Sequence, residues 1–393
     1  MREAVIVAYG RSAIAKSPKG TLKDTRPEEY AAEVIKGTLA KIPSFDPALI
    51  DDIIFGCAFQ EAETGTNVTR NIALLAGIPV SVPAQTINRF CSSGLQSIAM
   101  GANAIMANQA DVILAGGVET MSMIPMGGNL NAPNVALATN MAEAMTAMGQ
   151  TAENVADKYG ISREDQDAFA FKSHEKAIAA VDGGVFDEHV IPVTAVKFKT
   201  DHTTGHVVKY TEMFDKDEGM RRGLTMPDLV KLKTVFKKGG TVTAGNASQM
   251  NDAAACVLIM AKEKAEELGL TPIAKFVSYA VAGLEPDYMG MGPVYAVPKA
   301  LKLAGIEKDT VDVWELNEAF AAQAIACVRE LGLDEAKVNP NGGGIALGHP
   351  LGCTGAMLTC KLLTELKRKG KKYGVVSMCI GGGMGAAGVF EMC

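Results

Sequence analysis

The sequence contains no Cys-x-x-Cys pair, although it has eight cysteines among its 393 residues. Its five histidines show no ligand-like clustering with those cysteines, so we expect no metal site. A chain of this length can bury a sufficient core without a disulfide scaffold. The cysteine pattern therefore indicates a reducing compartment.

The chain also lacks long apolar runs and an excess of positive charge. It has no stretch of about 18 apolar residues, and its first residues, MREAVIVAYGRSAIAK, do not resemble a signal peptide. The formal net charge of -6 gives no support for a nucleic-acid surface. With 48% hydrophobic and 21% charged residues, the composition is that of a globular protein. We expect a cytoplasmic protein of two or three domains that neither inserts into a membrane nor binds nucleic acid.

Strand-like and helix-like segments alternate along the first third of the chain. The strand-like runs AVIVAYG, DDIIFGCAF and DVILAGGVE alternate with the helical runs PEEYAAEVIKGTLAKI and LQSIAMGANAIMAN. This pattern is typical of an α/β protein with helices covering a mostly parallel sheet. The last third repeats the order, because PVYAVPKALKLAGI precedes TVDVWELNEAF and a helical run precedes YGVVSMCIGGGMG. The sequence therefore predicts two similar halves.

The segment between the halves has a different character. It contains loops with methionine, asparagine and glycine, a polar helix (SREDQDAFAFKSHEKAIAAV) and a charged stretch. We interpret it as an insertion that covers a substrate. The predicted organisation is an N-terminal half of residues 1–120 plus 247–272, a loop domain of residues 121–246 and a C-terminal half of residues 273–393.

Three residues suggest acyl transfer between sulfur atoms. Cys91 follows the strand-like VPAQTIN and precedes a helical run, and a helix N-terminus or a nearby imidazole lowers a thiol pKa from about 8.5 toward neutrality. His349 precedes Pro350, a residue suited to the first helical position, and Cys379 ends a strand-like run. Singly, each is more often structural than reactive. Together they offer a nucleophile, an imidazole and a second proton-transfer group.

Five motifs resemble, in order and spacing, those of the thiolase family of acetyl-CoA acyltransferases: INRFCSSGLQS, TVTAGNAS, NEAF, GGGIALGHPLGCTGA and CIGGGMG. The resemblance covers essentially the whole chain. It implies the thiolase fold, in which two βαβαβαββ halves form five layers (αβαβα) and an inserted loop domain holds coenzyme A.

The resemblance also implies catalytic roles. Cys91 would attack the 3-keto carbonyl of a 3-oxoacyl-CoA after activation by His349, leaving an acyl-thioester. Cys379 would protonate the acetyl-CoA enolate and then deprotonate free coenzyme A. One oxyanion hole would consist of His349 and a water held by Asn317, and the other of the backbone N–H groups of Cys91 and Gly381.

Further residues match the family's substrate contacts. Ser248 would contact the pantetheine arm, Arg221 the phosphates, and Ala244 would belong to the same set. The apolar wall of the acyl pocket would consist of Met148, Met289 and Phe320. Acyl-CoA and coenzyme A would be substrates, with no tightly bound cofactor. The resemblance also implies a homodimer or homotetramer, with a β-oxidation partner subunit as a candidate partner.

Several functions remain open at this point. The leading hypothesis is a degradative 3-ketoacyl-CoA thiolase of fatty-acid β-oxidation. The runner-up is a short-chain acetoacetyl-CoA thiolase, but such enzymes typically have His-Met-Gly where this chain has Ala147, Met148 and Gly149. A decarboxylating condensing enzyme would resemble a Cys-His-His or Cys-His-Asn site, and a non-catalytic acyl-CoA-binding protein would be expected to lose one of the reactive residues.

Overall fold

The computed structural model describes residues 2–130 and 132–393. The strands in these residues are β1 (Ala4–Arg11), β2 (Ala15–Lys16), β3 (Asp52–Gly56), β4 (Ala84–Ile87), β5 (Val112–Thr120), β6 (Val193–Thr200), β7 (Val207–Phe214), β8 (Asn251–Ala261), β9 (Ala274–Gly283), β10 (Val313–Leu316), β11 (Tyr373–Ile380) and β12 (Met384–Met392). The helices are α1 (Pro27–Leu39), α2 (Val68–Leu75), α3 (Ser93–Met106), α4 (Val135–Asn140), α5 (Met148–Tyr159), α6 (Arg163–Asp182), α7 (Met226–Val230), α8 (Lys262–Glu267), α9 (Gly292–Ala304), α10 (Ala321–Leu331) and α11 (Leu351–Lys369).

The strands of each half are neighbours in the sheet. Their order is β4-β3-β5-β8-β1 in the first half and β9-β12-β11-β10 in the second, and a short antiparallel pairing of β1 with β9 joins the two. In the described residues, only β3 with β4, β3 with β5 and β10 with β11 are parallel. The expectation of a mostly parallel sheet is therefore wrong. Parallel pairs need a crossover helix, whereas β12 follows β11 through a tight glycine turn and returns antiparallel.

Three apolar clusters separate five layers. The central cluster combines α3 and α11 with the inward faces of the strands of both halves, and the outer clusters place α1 and α2 on one side and α9 and α10 on the other. Alternate residues of β5 serve different layers, since Ile113 and Ala115 join the central cluster while Val112 and Leu114 join an outer one. Both faces of the sheet are covered, so its strands read as continuous apolar runs.

The two halves correspond at a constant separation. Asp51 accepts hydrogen bonds from the backbone N–H groups that open β5, and Asp312 does the same at the start of β11. Gly94 of α3 and Gly355 of α11 pack reciprocally against each other's helix. Each pair is 261 positions apart, 51 against 312 and 94 against 355. The predicted repeat of strand and helix order is thus present in the fold.

The segment between β5 and β8 contains α4 to α7 and a separate hairpin of β6 and β7. Val193 and Phe214, at the base of this hairpin, join the outer cluster around α1. No helix in the described ranges combines the length and apolar character that a bilayer crossing requires. The exact domain boundaries stay a prediction.

Candidate active site

A cavity of about 620 Å³ lies between the two halves and the inserted segment. Nine of the residues predicted for the site line it: Cys91, Met148, Arg221, Ala244, Ser248, Met289, Phe320, His349 and Cys379. The remaining two, Asn317 and Gly381, are neighbours of the lining residues His349 and Cys91, respectively. The structure therefore brings together residues that are up to about 290 positions apart in the chain.

Cys91 occupies a short 3-10 turn, Phe90–Ser92, that leads into α3. The preceding Phe90 has a left-handed φ of 44°, an uncommon conformation for an aromatic residue. This conformation directly precedes Cys91, which lines the cavity. Burial raises the pKa of the Cys91 thiol to about 11, although backbone N–H groups of Gly381 and of Cys91 itself favour the thiolate. The expected lowering of this pKa is wrong, because loss of solvent outweighs the two backbone N–H groups.

His349 is neutral and held by a hydroxyl. Its Nδ1 lies 2.6 Å from Oγ1 of Thr354, and that hydroxyl donates to the carbonyl oxygen of Pro350 at 3.1 Å. Thr354 therefore accepts the Nδ1–H, which leaves Nε2 as a proton acceptor facing the cavity. Burial lowers the pKa of His349 to about 4. Pro350 is the N-cap of α11, so its predicted place at the first helical position is off by one residue.

Asn317 lies beside Nε2 of the imidazole. It follows β10, and its Nδ2 is 3.3 Å from Nε2 of His349. Its Oδ1 is buried and has no hydrogen-bond partner among the described residues. A buried amide oxygen of this kind is suited to bind a water beside His349.

Cys379 is the penultimate residue of β11 and is fully buried. Burial raises the pKa of its thiol well above the ordinary value, and a charge on Cys91 would raise it further. Both thiols line the same cavity. Gly381 lies two residues after Cys379, and its backbone N–H favours the thiolate of Cys91. Gly382 and Gly383 have φ values of 80° and 81°, which only glycine adopts easily.

Two family models match the chain. "Thiolase, N-terminal domain" matches residues 4–263, and "Thiolase, C-terminal domain" matches residues 270–392. The chain belongs to the thiolase family. The predictions of the family, of the fold class and of an acyltransferase enzyme are therefore confirmed.

Relatives of this thiolase match over nearly their full length. The 3-ketoacyl-CoA thiolase of Bacillus subtilis (strain 168) is 52% identical over 395 residues, which covers 100% of both chains. The peroxisomal 3-ketoacyl-CoA thiolase of Homo sapiens is 46% identical over 390 residues, or 98% of this chain and 90% of that protein. The crystal structure of the Bacillus anthracis acetyl-CoA acetyltransferase superposes with a TM-score of 0.89 at 40% identity, covering 100% of this chain and 99% of that chain.

The cavity of the thiolase has an apolar wall and a cationic edge. Met289 and Phe320 are buried, and Phe320 meets Phe236 edge-on at 6.2 Å between ring centroids.

At the cationic edge of the cavity, Nη2 of Arg221 lies 3.4 Å from the carbonyl oxygen of Ala244. In the described part of the chain, no carboxylate lies within 4.0 Å of Arg221, whereas the neighbouring Arg222 is paired with Asp182. Arg221 is therefore free to bind an anion.

Sequence reasoning missed two residues of the site. Thr354, which fixes the imidazole tautomer, lies five residues after His349 in GHPLGCTGA, and a hydroxyl so near a candidate base is a usable signal. Glu119 is a fully buried carboxylate at the end of the apolar run VILAGGVET. A single acidic residue in a buried strand is unusual, because an unpaired charge there is costly.

Proposed function

We propose that this enzyme cleaves 3-oxoacyl-CoA with coenzyme A to acyl-CoA and acetyl-CoA, by a ping-pong mechanism through an acyl-thioester on Cys91, in fatty-acid β-oxidation. The observation that carries the proposal is the convergence of two thiols and one neutral imidazole on a single cavity. Coenzyme A takes part as a substrate, and Arg221 and Ser248 contact it at the cavity edge.

In the first half-reaction, His349 Nε2 takes the proton from Cys91 as the sulfur bonds to C3 of the substrate. The thiol pKa of about 11 and the imidazole pKa of about 4 disfavour an ion pair in the resting site, so proton transfer accompanies attack. The C2–C3 bond then breaks, and the enolate carbon takes a proton from Cys379. The backbone N–H groups of Cys91 and Gly381 stabilise the oxyanion on C3.

In the second half-reaction, the Cys379 thiolate takes the proton from the thiol of coenzyme A. The new thiolate attacks the acyl carbonyl, and Cys91 leaves as its sulfur regains the proton held by His349. The enolate oxygen in the first half-reaction is stabilised by the imidazole and by a water on Asn317, whose unpaired Oδ1 supports this role.

The cavity wall supports an acyl chain longer than acetoacetyl. Ala147 lines the cavity beside Met148, where short-chain enzymes typically have a histidine, and methionine adapts to chains of different length. The two 3-ketoacyl-CoA thiolases described above are also more identical to this chain than the acetyl-CoA acetyltransferase. Because the chain is also similar to that acetyltransferase, acetoacetyl-CoA thiolysis is the second candidate function.

Acyl labelling and a chain-length series test the proposal together. Wild-type enzyme incubated with 3-ketoacyl-CoA should gain one acyl mass on the peptide of Cys91, Cys91→Ala should gain none, and Cys379→Ser should trap acyl label while turning over slowly. Thiolysis rates should rise from four-carbon to medium-chain substrates. Label on the Cys91→Ala protein would refute the nucleophile, and activity restricted to the four-carbon substrate would favour the second candidate.

A further inference from the structure

The Glu119 carboxylate contacts both halves of the molecule. Its Oε2 accepts the backbone N–H of Ala58 at 2.8 Å and that of Gly352 at 2.7 Å, and its Oε1 accepts the N–H of Phe59 at 3.3 Å. Ala58 and Phe59 follow β3 in the first half, whereas Gly352 is the second residue of α11 in the second half. One fully buried side chain therefore joins two segments that are distant in sequence.

Both segments adjoin the reactive groups. Ala58 and Phe59 pack with Cys91 and Leu351 in one apolar cluster. Gly352 lies three residues after His349, in the first turn of the helix that His349 precedes. The approach is close, because a Cβ on Gly352 would lie 2.8 Å from the backbone nitrogen of Ala58.

The repeat has no counterpart of this contact in the second half. At the constant separation of the halves, the position equivalent to Glu119 is Ile380, and the position equivalent to His349 is Asn88. Asn88 donates from Nδ2 to the carbonyl oxygen of Ala58 at 2.8 Å, so it binds the same loop as Glu119. Glu119 and Asn88 therefore both hydrogen-bond to the Ala58–Phe59 loop, which packs against Cys91.

We propose that Glu119 is a positioning residue for acyl transfer. By holding the Ala58–Phe59 loop against the first turn of α11, it fixes the Cys91 sulfur relative to the His349 imidazole. This inference rests on the proposed roles of those two residues. Glu119 itself lies outside the set that lines the cavity and does not touch substrate. Burial raises the pKa of Glu119 to about 7, while the backbone N–H groups of Ala58, Gly352 and Phe59 favour its ionised form. The oxygens of that ionised form are acceptors only, whereas an amide would turn an NH₂ group toward a backbone N–H.

The test compares Glu119→Gln with Asp51→Asn. Asp51 is an exposed residue at the other end of β3 and β5 that likewise accepts two backbone N–H groups, so it controls for the loss of a contact between a carboxylate and the backbone away from the cavity. Glu119→Gln should lower kcat about 10- to 100-fold, because a misplacement of about 1 Å can have that effect. The KM for coenzyme A should stay within about twofold of the wild-type value, and Asp51→Asn should leave kcat unchanged.

The rate of Cys91 alkylation by iodoacetamide shows whether the thiol stays reactive when Glu119 is replaced, and a slower rate would overturn the proposal. Glu119→Gln should not slow alkylation, because the change removes a negative charge that opposes the Cys91 thiolate. A kcat within about twofold of wild type would overturn the proposal, as would an equal loss of kcat in Asp51→Asn at the same loss of melting temperature.

A second variant, Glu119→Asp, serves the test if Glu119→Gln does not fold. It keeps the charge but shortens the side chain, and an unchanged kcat in that variant would also overturn the proposal. The acyl label on wild-type Cys91 reports the proposed function separately. Its absence would count against that function, while the alkylation and melting comparisons would still report on Glu119.

Discussion

At the scale of single residues, burial favours the neutral forms of the Cys91 thiol and the His349 imidazole. Burial raises the pKa of Cys91 to about 11 and lowers that of His349 to about 4. A thiolate at this position would have little solvent around it, and no positively charged partner is among the causes of the pKa shift. In the proposed mechanism the nucleophile therefore forms during attack, and a neutral thiol of this kind resists adventitious alkylation.

The rate of Cys91 alkylation by iodoacetamide should consequently keep rising between pH 7 and pH 9.5. Because the thiol pKa is raised to about 11, the thiolate fraction increases about tenfold per pH unit throughout this range. Peptide mass spectrometry of samples quenched at each pH gives the rate, and Cys91→Ala identifies the labelled peptide. A plateau at or below pH 8 would contradict the pKa direction and restore the expectation of a helix-activated thiolate.

At the scale of elements, the two helices that begin at the site pack through glycine. A Cβ on Gly94 would lie 2.8 Å from the backbone nitrogen of Ala356, and a Cβ on Gly355 would lie 2.2 Å from that of Leu95. Backbone atoms cannot rotate away, so only glycine allows this approach of α3 and α11. The same contact sets the distance between the turn of Cys91 and the residues next to His349.

Gly355→Ala should lower the free energy of unfolding by about 3 kcal/mol, at the upper end of overpacking effects, and should also lower kcat. Gly283→Ala is the matched control, since a Cβ there meets nothing closer than 4.0 Å and its effect should stay within about 0.5 kcal/mol. Urea denaturation of both variants measures the difference. Equal unfolding free energies of Gly355→Ala and Gly283→Ala would show that α3 and α11 can move apart without a loss of stability.

At the scale of the whole molecule, buried neutral histidines link stability to acid. Burial lowers the pKa of His174 and of His349 to about 4, and it lowers that of His189 well below its ordinary value. Each folded-state pKa lies below the ordinary value of about 6.5, so the unfolded chain binds the extra protons. The stabilising contribution of each histidine is complete above about pH 6.5 and is lost progressively as the pH falls.

His189→Gln should make stability less sensitive to acid. His189 is fully buried and distant from the cavity residues in the fold, and its Nδ1 lies 2.7 Å from Oγ1 of Thr364. The variant lacks one group that takes up a proton on unfolding. The slope of the unfolding free energy against pH between 6.5 and 4.5 should therefore fall by about 1.4 kcal/mol per pH unit. Urea titrations at several pH values test this; identical slopes would mean that His189 is already protonated when folded.

Much of the architecture and of the site follows from local sequence. Apolar runs such as the one at β5 specify buried strands, and the motifs around Cys91, His349 and Cys379 gather one cavity from three distant segments. Local sequence does not specify strand direction, because pairing depends on which distant strand arrives next. It also does not specify the thiol pKa of Cys91 or the contacts of Glu119, since both depend on burial by the other half.

The position of β12 in the sheet has a consequence for biosynthesis. This strand is the last one described in the chain, yet it lies between β11 and β9 and pairs with both. A ribosome therefore delivers the first half, with Cys91, long before the strand that closes the second. Until then β9 and β11 have open edges, which other chains can pair with. Nascent chains stalled before residue 384 should accordingly be preferred clients of chaperones that shield β edges.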